Sequence, residues 1–115
     1  MTLKTIIEEL PAHLVWGPQG WQNIAITRVI AGDLMSDILV MVETEALLVT
    51  GLATDQSVRC ADMVGASAVL VVNDKLPDPS MRLHAEAAGI PVLATPMPLF
   101  ETCVTLNFLM DKHES

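Results

Sequence analysis

Aromatic side chains are scarce in this chain: two Phe and two Trp make up 3% of its 115 residues. Basic side chains are scarce too, with six Lys and Arg against 14 Asp and Glu and a formal net charge of −8. A surface of that sign repels phosphate backbones and anionic lipid, and few rings are on hand to stack on bases. No nucleic-acid or membrane partner is therefore expected. Cysteine is limited to Cys60 and Cys103, which form no CxxC pair and sit in apolar helical contexts. They read as two thiols of a reducing compartment, and a cytoplasmic location is expected. No apolar run approaches the ~18 residues of a membrane helix. Met1 to Leu10 carries Glu8 and Glu9 and lacks the apolar core of a signal peptide.

The motifs of catalysis are missing as well. Gly51-Leu52-Ala53-Thr54 is not a Walker loop, no GxGxxG follows a strand, and no Ser sits in GxSxG. Neither cysteine has a histidine at motif spacing. None of His13, His84 and His113 pairs with a second ligand at i+3 or i+4 on a helix, so no metal and no cofactor are expected. Asp33 and Asp37 lie four apart, a spacing that could hold a cation. An N-cap and a solvated side chain are the plainer use of such a pair.

What the chain does have is apolar bulk: 51% hydrophobic residues against 17% charged. That excess is hard to hide inside one small domain and points to a subunit interface. Beyond Met1, six methionines (Met35, Met41, Met63, Met81, Met97 and Met110) suit irregular packing, in the core for most of them.

Periodicity places the elements. Leu3, Ile6, Ile7 and Leu10 share one face of a short helix capped by Thr2 and stopped by Pro11. Strands are expected at His13 to Trp16, before a Gly17-Pro18-Gln19-Gly20 turn, and at Asn23 to Ile30. Leu34 to Val42 is apolar nearly all round and predicts a helix buried on more than one side. Three apolar runs follow: Ala46 to Thr50, Ser67 to Val72 and Ile90 to Ala94, the last with Pro91 at a strand start or an edge. Between them lie two helices. One starts at Thr54 or Asp55 and stops at Gly65; the other is capped by Asp78, begins at Pro79 and stops at Gly89. A last helix spans Pro98 to Asp111. This predicts a single α/β domain over residues 1–115. It is a three-layer-like open sheet with a parallel β-α-β-α-β core in the second half. An N-terminal helix and one or two extra strands precede that core, and its crossovers are right-handed.

Ligands of open parallel sheets bind beyond the carboxyl ends of the strands. Thr50, Gly51, Asn73, Asp74 and Thr95 stand there, with Asp55 at the following helix start, and they form the candidate ligand site. The same residue types also suit turns and caps. Asp74 and Asp78 disfavour phosphate at this edge unless Lys75 or a metal offsets them. For association, Leu34, Ile38 and Met41 and, on the last helix, Phe100, Leu106 and Leu109 are the candidate interface of a homodimer.

Three stretches carry a family resemblance: GDLMSDIL, then LLVTGLATDQSVRCADMVGASAVLVVNDKLPD, then AEAAGIPVLATPMPLFET. From Gly32 to Leu109, about two-thirds of the chain, the sequence resembles the DRTGG domain, in the form of its small stand-alone members. In that family the domain occurs alone or within larger proteins, among them phosphotransacetylases and regulated inorganic pyrophosphatases with nucleotide-sensing domains. A similar fold opens HPr kinase. The resemblance implies a regulatory or dimer-forming part that is not itself a catalyst. Asp55 matches the acidic position of the name motif, but Gln56 stands where Arg is expected. Asn73-Asp74 stands near the Thr-Gly-Gly part. Some stand-alone members of similar size lie near iron-hydrogenase or redox systems, so the resemblance implies such a system as a candidate partner. The expected function is therefore a non-catalytic regulatory or protein-interaction module that forms homodimers. The alternative is a small-molecule sensor for a nucleotide or anion at the strand ends.

Overall fold

The computed structural model describes residues 1–41 and 44–114. The elements run α1 (Leu3–Glu9), β1 (His13–Trp16), β2 (Arg28–Ala31), α2 (Met35–Ile38), β3 (Ala46–Thr50), α3 (Asp55–Val64), β4 (Ala68–Val71), α4 (Pro79–Ala88), β5 (Val92–Ala94) and α5 (Leu99–Glu114). One five-stranded sheet holds them in the order β1-β5-β4-β3-β2. β2 to β5 are parallel neighbours in sequence order, and β1 joins the far edge antiparallel to β5. The three apolar runs of the second half are thus adjacent parallel strands, as their composition predicts.

Alternation along the strands divides the core in two. Leu48, Val69, Val71, Val92 and Ala94 meet Met35 and Ile38 of α2, Val58, Ala61 and Val64 of α3, and Met81 and Ala85 of α4. Leu47, Val49, Ala68, Leu70, Val72 and Leu93 turn to the other face, under Leu3 and Ile6 of α1 and Leu106 of α5. With both faces covered, β3, β4 and β5 are buried at every position, which is why they read as unbroken apolar runs.

The helix ends follow the cap chemistry. The Thr2 hydroxyl accepts from the Thr5 N–H at 3.5 Å, and the Asp78 carboxylate accepts from the Ser80 N–H at 3.2 Å. Gly65 and Gly89 end α3 and α4 at φ +80° and +73°, left-handed values that side chains resist. Thr54 holds the N-cap position of α3 without a side-chain bond of its own; its carbonyl instead accepts from the Ser57 N–H and hydroxyl. Pro91 directly precedes β5, a strand start inside the sheet rather than an edge.

Two expectations need correction. The strand read over Asn23 to Ile30 is a single-turn 3-10 helix at Trp21–Asn23 followed by β2, which starts only at Arg28. The intervening residues zip onto the N-terminus: the Leu3 N–H donates to the Ile24 carbonyl at 3.1 Å and the Ile26 N–H to the Met1 carbonyl at 2.7 Å. Their backbone groups are thereby satisfied without the sheet. The helix read over Leu34 to Val42 is one turn, α2, and Val42 lies outside the described residues. Only Met35 and Ile38 find the core; Leu34 is 61% exposed and Val40 81%. One buried stripe supports one turn, not a longer helix covered on several sides.

Candidate functional site

The strands of the parallel core end on one edge, and three connections crowd there. After β2 the chain passes through Gly32 to Asp33. Asp33 lies just outside α2, and its carboxylate turns to the end of β3. One oxygen, Oδ1, accepts from the Gly51 N–H at 2.6 Å and from the Thr50 hydroxyl at 3.1 Å. The Thr50 hydroxyl accepts in turn from the Leu52 N–H at 3.1 Å. The other oxygen, Oδ2, has no hydrogen-bond partner among the described residues.

After β4 the chain turns through Asn73 and Asp74, both left-handed at φ +66° and +56°. These are residue types that tolerate such values. The turn is held by the Asn73 N–H donating to the Met97 carbonyl at 2.9 Å and the Asp74 N–H to the Thr95 carbonyl at 3.3 Å. The Asn73 side-chain carbonyl accepts from the Leu99 N–H at 2.9 Å, at the first residue of α5. That bond fixes the amide, so its NH2 end faces Gly51. A Cβ at Gly51 would stand 2.9 Å from Asn73 Nδ2 and 3.4 Å from Asp33 Oδ1, so glycine is what lets the two side chains converge. The result is a cleft of about 280 Å³ lined by Asp33, Gly51, Leu52, Asn73 and Lys75.

Of the six candidate ligand residues, the structure brings Gly51 and Asn73 into this cleft. Thr50 and Thr95 are buried, and their hydroxyls are spent internally. That of Thr95 donates to the Pro11 carbonyl at 3.1 Å and accepts from the Met97 N–H at 3.3 Å. Asp74 is exposed on the turn and is not among the lining residues. Asp55 faces away, paired with the Arg59 guanidinium at 2.9 Å and 3.8 Å from His84 Nδ1; Arg59 Nε donates to His84 Nε2 at 3.1 Å. This trio ties α3 to α4. Asp33 and Leu52 line the cleft without being expected there, and Lys75, expected only as a charge to offset Asp74 and Asp78, lines it too. Asp33 carries a signal, since it follows Gly32 just past the end of β2, but its spacing from Asp37 equally fits one helix face. Asp37 lies in α2 and Asp33 before it. No group of three or more metal-ligating side chains occurs among the described residues.

The candidate interface residues also divide. Ile38, Leu106 and Leu109 are buried by the chain's own core, at 1%, 0% and 5% exposure, and offer nothing to a second copy. Leu34, Met41 and Phe100 are exposed. On α5 the outward face is Phe100, Val104 and Phe108, at spacings of four, while Thr102, Leu106 and Leu109 face the sheet. Burial pushes the Cys60 and Cys103 thiols above their ordinary range. No helix of the described residues is long and apolar enough to cross a membrane.

No family model matches the chain, and no curated protein matches it. Among solved structures its fold is similar to the CBS and DRTGG domains of the regulatory region of Clostridium perfringens pyrophosphatase, complexed with the activator diadenosine tetraphosphate. The TM-score is 0.73 at 14% identity, over 90% of this chain and 45% of that one. This chain therefore spans less than half of that structure's chain, and the likeness is one of fold: a mostly parallel α/β sheet with helices on both sides, consistent with a DRTGG-like architecture.

Proposed function

We propose that the chain is a regulatory module without catalytic activity of its own, a single DRTGG-like domain over residues 1–115 that works as a homodimer in the cytoplasm. The observation that carries this reading is the fold likeness to a pyrophosphatase regulatory region. The exposed face of α5 supports self-association. Phe100 and Phe108 are 75% and 68% exposed and Val104 52%. Aromatic side chains bury about 150–250 Å² each, so the stripe offers roughly 350 Å². That is close to half of the ~800 Å² each partner contributes to a stable interface. Two α5 helices crossing about a two-fold axis would cover both stripes, with Glu101, Asn107 and Asp111 at the rim. The test is backbone-amide NMR on serial dilution from about 500 µM to about 5 µM, a range that brackets a micromolar dimer. Signals of Phe100 to Phe108 should move with concentration, or stay fixed at the rotational correlation time of a dimer where association is tighter than the range; fixed spectra at the correlation time of a single chain would contradict the reading.

A second reading rests on the cleft. Asp33, Asn73 and Lys75 present acceptor, donor and cation around an open floor at Gly51, which supports a small-molecule sensor at the carboxyl edge of the sheet. The two readings are compatible. Asn73 faces the cleft and also accepts from the first N–H of α5, so the cleft and the start of that helix share one residue.

A further inference from the structure

We propose that the cleft takes a ribonucleoside phosphate, with the ribose diol on Asp33 and Asn73 and the phosphate on Lys75. This rests on the sensor reading above and names its ligand class.

The hydrogen-bonding inventory of the lining selects the ligand. Asp33 Oδ1 is occupied by Gly51 and Thr50, which holds the carboxylate rigid and leaves Oδ2 to accept. The Asn73 carbonyl accepts from Leu99, which orients the amide so that its NH2 donates toward the cleft. The pair therefore offers one charged acceptor and one neutral donor, converging over a glycine that gives no side chain. A hydroxyl is the group that donates to one and accepts from the other. An ammonium fits poorly: it brings three donors, and Asp33 Oδ2 is the free side-chain acceptor of the lining. A bare anion fits poorly for another reason. The Asp33 and Lys75 charges cancel, and Asp74 adds a further negative charge beside the cleft. A ligand that holds its anionic group several bonds away from its hydroxyls satisfies both ends, with Leu52 as the apolar wall. An acidic side chain after one strand, beside a glycine after its neighbour, is also how open α/β sheets hold a ribose diol. About 280 Å³ is room on the order of one mononucleotide.

The experiment is calorimetric titration of the full chain with adenosine 5′-monophosphate, its 2′,3′-dideoxy counterpart, adenosine and inorganic phosphate, with amide shifts of Gly51 and Asn73 as the site readout. The ribonucleotide should bind and move both signals. The dideoxy form should bind about tenfold or more weakly, because hydrogen bonds to a charged acceptor are among the stronger ones. Asp33→Asn keeps an oxygen for Gly51 and Thr50, so it should melt near wild type and still lose about tenfold in ribonucleotide affinity. Lys75→Gln, at an exposed position, should weaken the nucleotide and leave adenosine unchanged. Equal binding of ribo and dideoxy forms, or binding of inorganic phosphate as tight as the nucleotide, overturns the diol assignment while the sensor reading stands. If none of the four probes moves Gly51 or Asn73, both fall.

Discussion

Replacing Asp33 by Ala removes two hydrogen bonds at one stroke. The Gly51 N–H at 2.6 Å and the Thr50 hydroxyl at 3.1 Å both lose the oxygen that receives them. The two groups do not lose equally. Gly51 is half-buried, so water can replace part of its bond, whereas Thr50 is fully buried. The Thr50 hydroxyl would still accept from Leu52 but would have nowhere to send its proton. A buried polar group left unsatisfied costs about 1–3 kcal/mol. With the partly solvated Gly51 bond added, the expected loss is about 2 kcal/mol. For a chain of this length that lowers the melting temperature by roughly 6–12 °C. Asp37→Ala is the matched control: Asp37 is an exposed carboxylate on the next turn, and its removal should change stability by no more than about 0.5 kcal/mol. Thermal melts followed by circular dichroism, with urea midpoints as a second measure, separate the two. An Asp33→Ala protein that melts with wild type, or an Asp37→Ala protein that loses as much, would refute the claim that this carboxylate pins the ends of β2 and β3.

Three further outcomes are expected. Leu106→Ala, at a fully buried position under the sheet, should cost about 2–5 kcal/mol in urea denaturation; a loss below about 1 kcal/mol would mean that α5 does not pack there. Asp78→Ala removes the cap of α4 and should cost about 1 kcal/mol, with Asp78→Asn losing less; equal losses from the two would point to charge rather than the cap bond. The Cys60 and Cys103 thiols are raised by burial. The folded chain therefore keeps these protons where the unfolded chain has lost them, so stability is fully present below the ordinary thiol range and falls as pH rises through it. Alkylation by iodoacetamide should lag behind that of a free thiol at pH 8 in both; rapid labelling of the buried Cys60 would contradict its placement.

The parallel core was legible because each of its signals is local. Unbroken apolar runs, Asp78 before Pro79, and Gly65 and Gly89 past their helices each name a backbone state on their own. The first third was harder because its hydrogen bonds go to unexpected places. Ile24 and Ile26 look like strand residues, yet residues 24–26 bond to residues 1–3, and no pattern within 23–30 announces that. The α2 reading failed for a related reason. Leu34, Leu39, Val40 and Met41 are as apolar as Met35 and Ile38, and only packing tells which of them are covered. The last helix had the same ambiguity: its apolar residues fill both faces, and the sheet takes Leu106 and Leu109 while leaving Phe100, Val104 and Phe108 outside. At the site, the strand ends point to the edge and to Gly51 and Asn73 in its lining, with Lys75 beside them as a balancing charge. They also point to Thr50 and Thr95, whose hydroxyls are consumed in holding the turns. Asp33 emerges only when the end of β2 is set beside the end of β3, which the sequence alone does not do.

The mass of the chain in solution tests the proposed dimeric module most directly. Light scattering at about 100 µM, far above the dissociation constant of even a modest interface, should return twice the 12.4 kDa of one chain. The double variant Phe100→Glu, Phe108→Glu should return one chain mass while melting no more than a few degrees from wild type, since both side chains are exposed in the single chain and like charges would face each other across the two-fold. A wild type that stays at one chain mass would contradict the account, and so would a folded double variant that remains a dimer.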